Sequence, residues 1–163
     1  MMGMLKNIDH LDHDYFMGEA LREARLAGER GDLPIGSVIV HYQGEIISRG
    51  SNKIHTWNNR TKHAEINALN SGAEHLSRHA RECVIYSTVE PCVMCLPTII
   101  LANIRNVVFG VKDAYMEMDT FIESNNYVHK RLYNYVGDIR AEESEELLKK
   151  YAPEAADRIF SGV

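Results

Sequence analysis

His63 and Glu65 stand two residues apart, and Cys92 and Cys95 stand three apart, directly after Glu90-Pro91. Two sulfurs and one imidazole suit zinc better than other metals. The Cys-x-x-Cys spacing lets both thiolates reach one ion, and His63 makes a set of three ligands. Three protein ligands leave one tetrahedral position open, which is the mark of a catalytic rather than a structural zinc. Two thiolates also neutralise the metal, so it acidifies water less than a three-histidine site would. A general base beside it then becomes valuable. Glu65 is placed for that role, taking a proton from water and passing it to a ring nitrogen of a substrate.

Cys83 precedes Cys92 by nine residues, mostly along an apolar run that reads as a strand. An extended run of that length carries it about 20 Å or more away, so it is read as a small core side chain. A structural zinc knuckle would need a fourth ligand from among the eight histidines, and none stands out.

The elements that must position these groups follow from periodicity. Asp12 or Asp14 caps a helix starting near Tyr15, with Phe16, Met17, Ala20, Leu21, Ala24 and Ala27 on its apolar face. Gly28, Gly31 and Pro34 end it. Ser37 to His41 and Glu45 to Arg49 form a hairpin. The polar stretch Ser51 to Thr61 contains a turn at Asn58-Asn59. A second helix runs from about Lys62 to Ser71 and stops at Gly72. Cys83 to Ser87 is a buried strand. A third helix has Pro91 in its first turn and ends near Asn103, with a kink at Pro97, whose missing N–H cannot reach the Val93 carbonyl. Asn106 to Val111 is a strand, Asp113 to Ser124 helical, Arg131 to Val136 a strand and Glu142 to Tyr151 a helix. A short helix follows Pro153. Strands alternating with helices give an α/β class, a three-layer domain on a mixed sheet. A single domain is expected over 1–163, with a core of about 14–150 and a tail of 151–163.

The pair His63-x-Glu65 and Pro91-Cys92-x-x-Cys95 resembles the cytidine and deoxycytidylate deaminase superfamily. Leu33-Pro34-Ile35-Gly36, Asn52, Thr61-Lys62-His63-Ala64-Glu65, Val89 to Cys95 and Val107-Val108-Phe109-Gly110 resemble one branch of it. That branch holds tRNA adenosine deaminases, guanine deaminases and fungal cytosine deaminases. The resemblance spans about Asp14 to Lys150. It implies a three-layer α/β/α fold with a five-stranded mixed sheet, and hydrolytic deamination with release of ammonia. His63, Cys92 and Cys95 are implied as zinc ligands and Glu65 as the proton shuttle. Asn52 is implied to hydrogen-bond the base or sugar. The resemblance also implies that the Ala64 and Cys92 backbone amides contact the substrate and that Leu33 and Pro34 line the pocket, with Pro91 beside them. A homodimer is implied as well. Trp57, Asp119, Phe121, His129 and Phe160 are candidate pocket or lid residues, each weighed against plain packing or solvation. Asp157 is weighed in the same way as Asp119, as an acid that could meet an exocyclic amine.

Composition sorts the partners. The 163 residues carry 18 Lys plus Arg and 23 Asp plus Glu, a formal charge of −5. A protein that grips many phosphates usually shows a basic surplus. From Asp138 onward there are seven acids against four bases, where tRNA-editing relatives tend to be basic. Tyr115 to Phe121 also stands where those enzymes usually carry Gly-Ser-Leu. The expectation is a small-molecule substrate, with tRNA second and a non-catalytic zinc-stabilised interaction module third. Three cysteines fit no disulfide scaffold, and no apolar run approaches the ~20 residues of a membrane span, so a cytoplasmic protein is expected.

Overall fold

The computed structural model describes residues 5–163. Its centre is a five-stranded sheet of order β2-β1-β3-β4-β5. The strands are β1 (Gly36–His41), β2 (Ile46–Ser51), β3 (Cys83–Val89), β4 (Asn106–Val111) and β5 (Asn134–Val136). β1 runs antiparallel to both β2 and β3, whereas β3, β4 and β5 are mutually parallel. A hairpin can make only the first kind of pairing, and helical crossovers make the second.

Period-two alternation sends neighbouring strand residues to opposite faces. Val38, Val40, Val84, Tyr86 and Val108 pack under α1 (His13–Arg30), with Leu147 of α7 (Ala141–Tyr151). Ile39, Ile85, Val107 and Phe109 face the other way. There they meet α2 (Ala64–Ser71), α3 (Ala73–His79), α4 (Cys95–Leu101), α5 (Met118–Ser124) and α6 (Asn126–Arg131). Helices therefore cover both faces, as the alternation of elements predicts. A third cluster joins Val89, Val111 and Leu148 to Ala156 and Ile159 of α8 (Pro153–Ser161), so the tail packs at the end of the sheet where β3 and β4 finish.

Several boundaries differ from expectation. Asp12 caps α1, its side chain accepting from the Tyr15 amide at 3.0 Å. α1 continues through Gly28 to Arg30, because Gly31 is the residue that takes the left-handed conformation a helix stop uses. α3 and α6 are short helices whose weak periodicity gave no signal. The stretch 113–117 is a loop, because the Asp113 side chain accepts from the Tyr115 and Met116 amides. α4 begins only at Cys95, so Pro91 precedes the helix instead of opening it. Pro97 then falls in the first turn, where amides have no helical partner, and the expected kink has no cause.

Two glycines set how closely the helices approach the hairpin. A Cβ on Gly36 would strike the Ala20 carbonyl and the Ala24 amide of α1. A Cβ on Gly50 would strike the Ala64 carbonyl and the Ala68 amide of α2. Gly50 thus fixes the height of the helix that carries Glu65. Gly50→Ala is expected to destabilise the fold by about 1–3 kcal/mol through overpacking, measured as a lower urea midpoint at unchanged m-value.

Candidate active site

The His63 ring stands at the N-cap of α2, and Glu65 lies in its first turn. Cys92 lies in the turn after β3, and Cys95 opens α4. The fold brings both segments to the same end of the sheet. His63 Nδ1 stands 3.5 Å from Cys92 Sγ and 3.4 Å from Cys95 Sγ. All three ligand atoms lie within 4.8 Å of one another. Ligand atoms around a tetrahedral zinc, with Zn–S of about 2.3 Å and Zn–N of about 2.0–2.1 Å, are separated by about 3.5–3.8 Å. The donor set therefore fits zinc in chemistry and in spacing. Cys83 lies apart from it. Its buried thiol is pushed up to about 12 by desolvation and donates to the His79 carbonyl.

The electrostatics of the cluster follow from its hydrogen bonds. Cys92 is pushed down to about 4 by its bond with Cys95, against burial, and then by His63. The Cys95 amide also donates to Cys92 Sγ at 3.4 Å, a contact that exists because Cys92 sits just outside the helix. Cys95 moves up, since it faces the Cys92 sulfur, is buried and lies near Glu65. His63 moves up through its bond to Cys92. Glu65 is buried, and desolvation raises its carboxyl, with the Cys92 charge adding to the shift. Ser87 of β3 donates to Glu65 Oε1 at 2.9 Å, leaving Oε2 on the side of the cluster, 3.6 Å from Cys95 Sγ. A buried carboxyl held beside candidate metal ligands and poised towards protonation is suited to carry a proton.

The cluster opens into a cavity of about 1000 Å³. Leu33, Asn52, His63, Ala64, Glu65 and Cys92 all line it. The buried Asn52 turns its Oδ1 to the Ile54 amide at 3.1 Å, while its Nδ2 donates to no described protein group. Other expected residues lie elsewhere. Pro34 and Pro91 are buried but do not reach the cavity wall. Trp57 is exposed, with Lys53 and Lys62 stacked on its ring at 4.6 and 5.4 Å. Asp119 pairs with Lys112 and, like Phe160, borders a second cavity. Phe121 packs against the core beneath α5, and His129 is exposed on α6. Asp157 is exposed on α8. Amphipathic position alone did not separate pocket residues from packed or solvated ones.

Sequence reasoning missed the residues that hold the cavity walls. Asp32 is buried and accepts from Arg30 Nε at 2.7 Å, the His55 amide at 2.9 Å, the Thr56 amide at 2.8 Å and Thr56 Oγ1 at 2.5 Å. Arg30 also donates to the Asn52 carbonyl at 2.8 Å and to Ser51 Oγ at 3.1 Å. This one ion pair anchors both Asn52 and the loop 53–62. Glu90 plays a similar part across the cavity. It accepts from the Asp113 amide at 3.1 Å and from Tyr135 Oη at 2.5 Å. An acid directly before Leu33-Pro34 and another directly before Pro91-Cys92 were the available signals. α8 supplies part of the cavity wall through Pro153, Glu154, Ala155, Arg158 and Ile159.

Residues 11–111 match the family described as the cytidine and deoxycytidylate deaminase zinc-binding region. The tRNA-specific adenosine deaminase of Aquifex aeolicus is 31% identical over 152 residues, covering 90% of this chain and 98% of that enzyme. A solved structure from work on A-to-I editing by tRNA:A34 deaminases shares 36% identity at a TM-score of 0.72. It covers 82% of this chain and 99% of its own. Guanine deaminase from Bacillus subtilis shares 30% identity at a TM-score of 0.58, over 69% of this chain and 70% of its own. The chain belongs to the cytidine and deoxycytidylate deaminase family and is a zinc-dependent hydrolytic deaminase.

Burial alone would raise the Asp32 carboxyl, but bonds from Thr56 and Arg30 overcome this and hold it at about 2, below its ordinary 3.8. A depressed carboxyl stabilises the fold at pH values above its unfolded pKa. The difference is worth about 2 kcal/mol at neutral pH. It fades as pH falls from about 4 towards 2. Asp32→Asn is expected to lower stability by about that amount at pH 7, with the deficit against wild type shrinking below pH 4 in urea titrations.

Proposed function

We propose that this deaminase acts on the exocyclic amine of a nucleobase ring bound in the cavity, with His63, Cys92 and Cys95 as zinc ligands and Glu65 as the proton carrier. The observation that carries this reading is the meeting of the three ligand atoms beside a buried carboxyl on the cavity wall. Zinc held there supplies a Lewis acid that makes water a usable nucleophile near neutral pH. Glu65 accepts the proton that water gives up and passes it to the ring nitrogen next to the amine-bearing carbon. A second proton moves through the same carboxyl to the departing amine. Water and the amine thus become a ring carbonyl and ammonia. Ser87 fixes one Glu65 oxygen, so the other is presented in one orientation. Asn52 has an unengaged amide donor for an acceptor on the base or its sugar.

A free nucleobase, nucleoside or related amino-bearing heterocycle is the first reading of the substrate. It is supported by α8, which walls the cavity, and by the seven acids from Asp138 onward. Adenosine in tRNA is the second, and the relatives favour it against the ranking drawn from charge. One specific feature supports it too. Loop 53–62 carries Lys53, Arg60, Lys62 and the exposed Trp57 and no acid, a local basic and aromatic surface that the global sum conceals. The salt dependence of tRNA binding separates the readings, since phosphate contacts give a steep slope.

A homodimer through α4 is part of the same reading. Val93, Pro97 and Leu101 recur at four-residue spacing, and Leu101 is 71% exposed and Val93 46%. Three free thiols fit a reducing compartment such as the cytoplasm. No helix among the described residues is long and apolar enough to cross a membrane.

Glu65→Gln is expected to bind one zinc per chain, as wild type does, while ammonia release falls by about 10²–10⁴-fold. Activity retained by that variant would falsify the role given to Glu65. Sedimentation velocity is expected to show a dimer for wild type and a monomer for Leu101→Glu. A wild-type monomer removes the dimer from this reading.

A further inference from the structure

Two guanidiniums line the same cavity as the His63, Cys92 and Glu65 side chains. Arg60 comes from the loop before α2, and Arg158 from α8. Among the described residues neither has a carboxylate in ion-pair contact nor a hydrogen-bonding partner for its guanidinium. Arg30, Arg49 and Arg140 are all paired. Arg60 and Arg158 are both exposed; Arg158 lies over the Tyr115 ring at 5.5 Å and acts on the Asp113 carboxyl electrostatically without an ion-pair contact.

Most acids of the cavity are already engaged. Asp32 is held by Arg30 and Thr56, Glu65 by Ser87, Glu90 by Tyr135, and Asp113 by the Tyr115 and Met116 amides. Glu154, exposed on α8, is the remaining one. An unpaired arginine in a concave site keeps a planar fork of donors for oxyanions such as phosphate. The cavity, at about 1000 Å³, stands at the upper end of the range that holds drug-sized ligands. A base with its sugar and phosphate fits such a volume, and a bare base leaves most of it unfilled. Arg158 lies beyond residues 11–111, outside the matched family region.

We propose that Arg60 and Arg158 form an anion subsite, and that the amino-bearing base is recognised together with a phosphate attached to its sugar. This rests on the deaminase reading of the same cavity. The phosphate belongs either to a free nucleotide or to the backbone of an RNA loop, and the experiment separates the two.

Ammonia release is measured for adenosine, guanosine and cytidine, each against its 5′-monophosphate, and for an RNA stem–loop with adenosine in the loop. Wild type is compared with the double variant R60Q/R158Q, with zinc content and circular dichroism as controls for folding. Calorimetric binding of each nucleoside and its monophosphate runs in parallel. The expected result is a kcat/KM or affinity at least about 10-fold higher with the phosphate present, falling to near parity in the double variant. A gain seen with the 5′-monophosphate assigns the phosphate to a free nucleotide. A gain confined to the stem–loop assigns it to the RNA backbone. Equal values with and without phosphate in wild type, or a preference that survives in the double variant, overturn the subsite. Absence of ammonia from every substrate counts against the deaminase reading, and the binding data still decide the subsite.

Discussion

The buried hydrogen bond from Ser87 to Glu65 is the contact on which the rest of the site depends. A carboxyl buried in this way carries a desolvation cost of several kcal/mol unless it is paired or protonated. Here it is partly compensated by one hydroxyl from the central strand β3, by a backbone hydrogen bond and by His63, while the Cys92 charge adds to the cost. That arrangement requires α2 to lie tightly on the sheet. The glycine at position 50 permits the approach, and the turn after β3 must then deliver Cys92 and Cys95 at the same height. His63 and Cys92 are 29 residues apart in sequence and meet because α2 begins and β3 finishes at the same end of the sheet.

The loops around the cavity are held by polar bonds more than by apolar contact. Loop 53–62 has little apolar surface to bury, so its position comes from the Asp32 carboxylate and the neck bond between the Lys53 amide and the Lys62 carbonyl at 2.9 Å. On the far side the Glu90 carboxyl ties β5 to the segment after β4. Buried acids placed in this way cost stability if either partner is removed, and they keep a loop in one conformation. A substrate pocket built from loops needs that rigidity, because Asn52 can present a donor to a ligand only if its backbone is fixed.

Much of this was legible in the sequence, and the reasons differ between elements. Strands β1 to β4 and helices α1, α2 and α7 run for six or more residues, and the structure shows them within a few residues of expectation; β5 keeps only Asn134–Val136 of the strand expected from Arg131, because Arg131 ends α6. The His63, Cys92 and Cys95 cluster was legible as a candidate metal site because metal chemistry restricts residue type and spacing together. α3 and α6 were not, since seven- and six-residue helices are defined by packing more than by pattern. Pro91 and Pro97 were misplaced because proline is tolerated anywhere in a first turn, so it marks a helix start only to within a few residues. The candidate lid residues Trp57, Asp119, Phe121, His129 and Phe160 share one difficulty. Nothing local distinguishes a side chain facing a cavity from one facing solvent or core when the walls come from segments over a hundred residues apart.

The tail illustrates why charge has to be resolved in space before it bears on function. Its seven acids suggested a surface unsuited to phosphate. Yet the acids of α7 stand in a helix whose buried residues are Ser144, Leu147 and Leu148, with Glu142, Glu143 and Glu146 exposed. Arg158, one turn beyond Glu154 on the next helix, lines the cavity instead. Screening over about 8–10 Å at physiological ionic strength weakens the influence of distant solvated acids on a ligand inside the cavity. Arg60 and Arg158 are themselves exposed, so they would act on a phosphate only at contact distance, where charge-assisted hydrogen bonds form. The proposed subsite would act on a ligand phosphate at close range, and the net charge of −5 governs mainly how the molecule behaves at long range.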